Sequence, residues 1–381
     1  MRLFELIKSE FKTVLNNPVI VLTMFGGIIF YSFLYPLPYS EQTPKEQEIT
    51  VVNLDNSQLS RQLERMVDAT PQVKIVKRAY SIADAKKQLL QGDVRGIILI
   101  PAHFYRDLLQ GKSPILSYSG DASYFLVYGT IIEGLAKVGG TIAAQVTVNR
   151  LLIDGVPLEA ASDQYAQLTL NMKPTFNPSL GYLNYVIPAV FVLILQQTLM
   201  MAVGLMGGSE KISNGYWNQH PPLMILVARC FVFLSIYYLL ALYYFGFSFE
   251  FYGVNKMADP LVIIALLSPF LLSCIFIGII LGALLPRKEL VTFVVLISSM
   301  PLIFSAGFIW PLESVPLPII WLSNLFPCTP AIQSFLMVNQ MGAEFSQILP
   351  QCQLLFLQSL IFGGAAFFAY QKQQKKSLVA T

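Results

Sequence analysis

The chain has 381 residues, of which 55% are apolar and only 12% are charged. Soluble globular proteins carry about 25% charged residues, so this composition excludes an ordinary soluble protein and favours a membrane protein. The formal net charge of +3 gives no indication of nucleic acid binding, and we expect no nucleic acid partner.

The first 17 residues predict an amphipathic helix that lies in the cytoplasmic interface of a membrane. One face carries the apolar residues Leu3, Phe4, Ile7, Phe11 and Val14, and the other carries Arg2, Glu5, Lys8, Ser9 and Lys12. A first transmembrane helix follows at 18–38. The alternative is a signal peptide, but 35–39 contain no small-x-small cleavage site, so we favour a retained anchor.

Residues 39–181 predict an extracytoplasmic α/β domain. This segment is rich in charge, because 14 of the 25 Lys and Arg residues lie between Lys45 and Lys173. Short β-branched runs that are bounded by Pro, Gly or Asp predict four strands, at 49–54, 73–76, 96–100 and 115–118. Helical patterns at 57–68 and 81–91 alternate with these strands, which favours a largely parallel sheet. A long helix follows at 124–153.

Residues 182–371 predict a membrane domain of five helices. Each apolar run is long enough to cross about 30 Å of hydrocarbon, which requires roughly 20 residues in a helix. The predicted crossings are 183–206, 223–249, 260–285, 290–311 and 352–370. A polar elbow at 207–222 separates the first two of them, and a segment at 313–350 that is broken by prolines lies at the interface or dips in and out. A basic tail, 372–381, ends the chain.

The distribution of basic residues predicts on which side of the membrane each segment lies. Six crossings place both termini on the same side. With cytoplasmic termini, the inner segments hold nine basic residues and the short outer loops hold only Lys256. This positive-inside pattern predicts a multi-pass protein of the bacterial inner membrane, with both termini in the cytoplasm.

The motifs give no catalytic residue, no cofactor and no metal site. Gly111, Lys112 and Ser113 imitate the end of a P-loop, but Arg106 stands where its first glycine belongs, so the chain has no nucleotide-binding motif of its own. His103 and His220 are isolated, and the crossings hold no His, Asp, Glu or Lys, apart from Arg229 at one margin. The polar residues of the crossings bond between helices or line a pathway, and the candidates are Gln196, Gln197, Ser298 and Ser299.

Three stretches resemble the permease subunits of type 2 ABC exporters (ABC-2 type). Residues 51–61, VVNLDNSQLSR, are similar to the start of the extracytoplasmic domain in the subfamily with a large insert after the first span. Residues 208–215 resemble the coupling segment between spans two and three, and 311–327 resemble the re-entrant segment after span five. The chain differs from the family pattern after Gly215, where Tyr216, Trp217 and Asn218 stand in place of a Thr and an acidic residue.

The resemblance implies an α-helical membrane protein with six transmembrane helices in a 1+5 arrangement and an inserted extracytoplasmic α/β domain. It also implies a transport permease that is not itself an enzyme. Two permeases, identical or paralogous, would form a dimer in the membrane lipid, and cytoplasmic ABC ATPase subunits would dock on the elbow. A periplasmic adaptor protein is a further candidate partner. The implied coupling residues are Glu210, Lys211, Gly215, Tyr216 and Trp217, and the alternative for them is an ordinary polar loop.

Two functions follow from this sequence. The first is ATP-driven export of an amphipathic, drug-like or lipid-like substrate. The alternative is a membrane-anchored receptor or docking protein that acts through its extracytoplasmic α/β domain. Six spans are more than an anchor requires, so we favour the exporter.

Overall fold

The computed structural model describes residues 3–40, 42–165, 175–178, 180–210 and 220–380, including their side chains except at 164–165 and 375–380. The chain divides into two compact units. We call Met1–Ser40 together with Thr175–Thr381 the helical unit, and Glu41–Pro174 the sheet unit. The sheet unit falls within the segment 39–181 for which the sequence predicts an α/β domain.

The helical unit begins with α1 (Leu3–Asn16), α2 (Pro18–Val21), a π-helical turn at Leu22–Gly26 and α3 (Gly27–Leu34). Asn17 separates the amphipathic helix from the apolar segment. Its side-chain oxygen accepts hydrogen bonds from the backbone N–H groups of Val19 (3.1 Å) and Ile20 (3.3 Å), which caps α2.

The sheet unit contains a four-stranded sheet with the spatial order β2-β1-β3-β4. The strands are β1 (Gln47–Asn53), β2 (Val73–Arg78), β3 (Gly96–Ile100) and β4 (Ser117–Gly120). β1 pairs in parallel with both β2 and β3, whereas β4 is antiparallel to β3. The predicted largely parallel sheet is therefore confirmed.

Helices cover this sheet and complete its core. They are α4 (Gln58–Asp68), α5 (Ile82–Leu90), α6 (Phe104–Leu109), α7 (Phe125–Ile153) and α8 (Leu158–Tyr165). The hydroxyls of Ser57 and Ser81 cap α4 and α5 by accepting hydrogen bonds from backbone N–H groups at 3.1 Å. The long helix α7 contributes Ile131, Val138 and Ile142 to the core that contains the buried strand residues.

The rest of the helical unit is built around α9, whose side chains are almost all buried. Its elements are α9 (Val186–Glu210), α10 (Pro222–Leu242), a π-helical turn at Tyr243–Ser248, α11 (Phe249–Tyr252), α12 (Pro260–Leu284), α13 (Glu289–Ser305), α14 (Leu317–Ser323), α15 (Cys328–Met341) and α16 (Leu349–Ala380). α12, α13 and α15 pack directly on α9.

Six described helical segments are long and apolar enough to cross a membrane. Five belong to the helical unit: Pro18–Tyr39, Val186–Glu210, Pro222–Tyr252, Pro260–Leu284 and Phe345–Gln374. The sixth is α7 of the sheet unit. The predicted crossing at 290–311 corresponds to α13, which ends at Ser305 and, with 17 residues, is at the short limit for a span.

Two predicted boundaries require correction. α9 continues to Glu210, so the first four residues of the predicted elbow, 207–210, are helical. α16 runs on to Ala380, so the residues of the predicted basic tail up to 380 extend the last helix. The segment 313–350, predicted to lie at the interface or to dip in and out, contains α14 and α15, and α15 is largely buried in the core of the helical unit. Its prolines lie at or near helix starts, so they do not interrupt these helices.

Glycines allow a close contact between α9 and α12. A Cβ atom added at Gly282 would lie 2.8 Å from the carbonyl oxygen of Gly204, and one at Gly278 would lie 3.0 Å from that of Met200. Gly204 and Gly208 on α9, and Gly278 and Gly282 on α12, are each four residues apart, the spacing that lets membrane helices approach closely.

Candidate functional site

The most unusual feature of the helical unit is a fully buried arginine. Arg229, in the second turn of α10, has no solvent exposure, and neither has Glu10 of α1, with which it forms an ion pair. Glu210 of α9, also buried, forms a second ion pair with it, and Tyr370 of α16 contacts the same guanidinium. We call these four residues the Arg229 cluster.

The cluster uses the full hydrogen-bonding capacity of the guanidinium. Nε and Nη2 of Arg229 donate to the two carboxylate oxygens of Glu10 at 3.1 and 3.0 Å. Nη1 donates to Glu210 at 3.0 Å and also to the Tyr370 hydroxyl, and Nη2 makes a further short contact with Glu210. These contacts match the five N–H donors that an arginine offers in a planar fork, which a lysine could not reproduce.

Burial explains why every N–H group of the Arg229 guanidinium has a hydrogen-bond partner. An ionised group inside a low-dielectric interior is costly unless it is paired and hydrogen-bonded. Arg229 has two carboxylate partners, and its Cζ atom also lies 5.5 Å from the centre of the Tyr370 ring. Charge pairing and the aromatic ring together stabilise a cation that would otherwise not remain in this position.

The local sequence of α1 brings Glu10 to the cluster. Leu6, Glu10 and Val14 are four residues apart and form the buried stripe of this helix, which packs on α10. Of the predicted apolar face, Val14 lies in this buried stripe, whereas Leu3 and Phe4 are 42% and 77% exposed. The inward face is thus centred on an acidic residue.

The cluster lies directly beside the elbow that joins α9 and α10. Glu210 is the last residue of α9, so the chain enters the elbow from within the cluster. At the other end of the elbow, the backbone oxygen of His220 accepts a hydrogen bond of 2.9 Å from the side-chain amide of Gln374, one turn after Tyr370. Both ends of the elbow are therefore attached to other helices.

The sequence profile of the ABC-2 family transporter proteins matches residues 18–368, most of the chain. The chain belongs to the ABC-2 family of transporter proteins. It is also similar to ABC transporter G family member 20 of Dictyostelium discoideum, with 21% identity over 370 residues that cover 90% of this chain and 47% of the relative. The chain thus spans about half the length of that relative. Its membership of this family and its long apolar helices together show that it is a multi-pass membrane protein.

In this ABC-2 chain, Glu210 is the one predicted coupling residue that the structure describes. It is buried at the end of a helix, where it binds Arg229, and it does not project from a polar loop. Lys211, Gly215, Tyr216 and Trp217 lie outside the described residues.

The predicted polar residues of the crossings do not share one site. Gln196 is buried, and its side-chain oxygen accepts a 2.8 Å hydrogen bond from the backbone N–H of Cys328, an otherwise unsatisfied donor at the start of α15. Gln197, beside it, is half-buried. Ser298 and Ser299 both donate to the carbonyl oxygen of Val295 in their own helix.

Sequence reasoning missed Glu10, Arg229 and Tyr370 as parts of a site. Two signals were present: a single arginine inside an otherwise uncharged apolar run, and an acidic residue between the apolar positions of α1. An ionisable residue at membrane depth almost always has a partner that faces it from inside the bundle. Within the described ranges, no group of three His, Cys, Asp or Glu side chains is arranged to hold a metal ion.

Proposed function

We propose that this chain is the permease subunit of an ATP-driven exporter and that the Arg229 cluster transmits movement of the elbow to the membrane helices. The observation that carries the proposal is the attachment of Glu210, at the start of the elbow, to Arg229 of α10. Through the same guanidinium, the elbow is connected to α1 and to α16. A displacement of the elbow would therefore move or break contacts on three further helices.

The energy source in this proposal is a separate ABC ATPase that docks on the elbow from the cytoplasm. The chain carries no nucleotide-binding motif, and the elbow is rich in polar and aromatic residues, including Lys211, Tyr216 and Trp217. Two permease chains, identical or paralogous, would form the translocation unit. Large exposed side chains on α13, such as Phe293 and Met300, offer an apolar surface to lipid or to the second permease. We propose an amphipathic, drug-like or lipid-like substrate, because the crossings are nearly free of charge.

We further propose a location in the bacterial inner membrane with cytoplasmic termini and the sheet unit outside the cytoplasm. The five long apolar segments of the helical unit, together with α13, supply six crossings in a 1+5 arrangement around the inserted sheet unit. The inner segments would then carry nine basic residues and the short outer loops only Lys256.

Cysteine labelling tests this topology. We expect a membrane-impermeant maleimide to label Ala122→Cys in intact cells and Lys372→Cys only after permeabilisation, because both positions are exposed and the proposed topology places them on opposite sides of the membrane. Cys352, the half-buried native thiol, is replaced by serine in both variants, and the other three cysteines are buried. Labelling of both positions in intact cells would refute the arrangement.

Coupling is tested by the Glu210→Gln variant, in the complex that the full-length chain forms with its ATPase. The change removes one charge but keeps the size of the side chain. A hydrogen bond to a charged group contributes about 1.5–3 kcal/mol, so we expect the stimulation of ATP hydrolysis by the permease to fall by about tenfold or more. Complex formation, measured by co-purification, is expected to persist.

Two further variants complete this experiment. Glu313→Gln changes an exposed carboxylate in a 3₁₀ turn remote in sequence from the cluster and should leave stimulation unchanged. Tyr370→Phe removes only the hydroxyl contact to Arg229, keeps the ring, and should reduce stimulation partially. Full stimulation in a stable, assembled Glu210→Gln complex would show that the cluster does not transmit movement.

A further inference from the structure

A cleft opens between α10 and α12 at the end of the helical unit opposite Arg229 along α10. Its volume is about 600 Å³, and apolar side chains and backbone line most of it. It extends from Tyr238 to Gly246 along α10 and the π-helical turn, a length of about 12 Å for eight helical residues. Leu242 and Ile264, 68% and 50% exposed, stand at its edge, so the cleft opens sideways towards the surroundings of the helices.

Local sequence keeps the two helices apart here. The π-helical turn Tyr243–Ser248 widens the helix, and a π-bulge of this kind often accompanies a functional site. Ala241, Gly246 and Ala258 line the cleft with little or no side chain and leave its space unfilled. Tyr238 lines one end of the cleft, and its hydroxyl lies 2.6 Å from the hydroxyl of Ser268 on α12.

The mouth of the cleft carries a lysine, which is paired with a carboxylate beside the cleft. Lys256 lines the cleft and forms an ion pair with Glu250, whose side chain is 78% exposed. The loop that carries Lys256 is fixed to α15: Asn339 donates to the backbone oxygen of Asn255 at 3.1 Å, and Met257 donates to the backbone oxygen of Asn339 at 3.0 Å. Lys256 is therefore held at the mouth.

We propose that this cleft binds one phospholipid, with an acyl chain between α10 and α12 and the phosphate at the Lys256 ammonium group. Apolar walls with a few polar groups at one end match the chemistry of such an amphiphile. Glu250, adjacent to Lys256, would receive a headgroup amine, so the pair is complementary to phosphatidylethanolamine more than to phosphatidylglycerol. Basic residues at the ends of membrane helices commonly bind lipid phosphates. This inference does not depend on the proposed coupling role of the Arg229 cluster.

Native mass spectrometry of the full-length protein in detergent tests the proposal, with added palmitoyl-oleoyl phosphatidylethanolamine or phosphatidylglycerol as probes. We expect one retained phosphatidylethanolamine per chain in the unchanged protein. Lys256→Gln should weaken its retention by about fivefold, since a basic residue at a membrane surface contributes roughly that factor. Glu250→Gln should abolish the preference for phosphatidylethanolamine over phosphatidylglycerol.

Gly246→Leu places a bulky side chain in the cleft. It therefore distinguishes a lipid that is bound in the cleft from a lipid that is retained nonspecifically elsewhere on the protein. A Cβ atom at Gly246 makes only ordinary contacts, the nearest at 3.4 Å to Leu242, so the variant should fold. Overfilling should lower retention about tenfold. The matched control is Gly364→Leu, which adds the same side chain at an exposed position with no atom within 4 Å and should retain the lipid.

Two outcomes would overturn the proposal. Equal retention by Gly246→Leu and Gly364→Leu would show that the lipid binds elsewhere. Loss of a dimer in Gly246→Leu, seen in the same spectra without any change in lipid per chain, would assign the cleft to a second copy of the protein.

Discussion

Replacing Arg229 with leucine should destabilise the helical unit more than any other single change in a charged residue. The variant leaves Glu10 and Glu210 buried without their cation, both aimed at the space that the guanidinium occupied. Removal of one partner from a buried ion cluster typically costs about 3–5 kcal/mol. We expect a marked decrease in Tm of the detergent-purified protein, measured by loss of monodisperse material on heating.

Two reference variants distinguish the effect of losing the charge of Arg229 on Tm from the effect of losing its packing and hydrogen bonds. Arg229→Lys keeps the charge but offers three donors for five contacts, so its Tm should fall between those of the leucine variant and the unchanged protein. The triple change Glu10→Leu, Glu210→Leu and Arg229→Met removes every charge, and buried ion clusters replaced in this way often lose little stability. It should recover most of the Tm while coupling remains lost. A leucine variant as stable as the unchanged protein would mean that the cluster is not buried as described.

Gly282→Ala should have the largest effect among conservative substitutions. The new methyl group would lie 2.8 Å from the carbonyl oxygen of Gly204 and 3.3 Å from the Cα atoms of Gly204 and Gly207. All of these atoms belong to backbone, so α9 and α12 must move apart. Overpacking of this kind typically costs about 1–3 kcal/mol, and because α9 is the central helix, we expect a clear loss in Tm.

The same substitution at Gly364 is the control. A Cβ atom there meets no other atom within 4 Å, and alanine favours a helix over glycine by up to about 1 kcal/mol. Gly364→Ala should therefore have an unchanged or slightly higher Tm. Equal Tm values for the two alanine variants would contradict the close approach of α9 and α12.

Much of the fold could be predicted because the signals are local. The β-branched run Thr50–Val52 and the serines before α4 and α5 determine strand and helix through neighbouring residues alone, and their predicted elements agree with the structure. The apolar runs predicted the long helices for the same reason. Helix ends were less accurate: α9 continues through Gly207 and Gly208 to Glu210, because these glycines pack against α12 and Lys288 where sequence propensity indicates a break.

The candidate site could not be predicted in the same way. Glu10 and Arg229 are separated by 219 positions in the sequence, and no periodicity indicates which charge meets which. The sequence analysis assigned Glu10 to neither face of the first helix, and it is the packing of α1 on α10 that buries this residue. Only the position of Glu210 at the elbow was accessible from the sequence, through the resemblance of its segment to a family pattern.

The Arg229 cluster also has a consequence for biosynthesis. Its partners are far apart in the sequence: Glu10 precedes Arg229 by 219 positions, and Tyr370 follows it by 141. During translation, Arg229 enters the bilayer long before Tyr370 has been made. The nascent bundle must therefore hold this cation without all of its partners, and deletion of α1 or of the part of α16 that carries Tyr370 would make this state permanent.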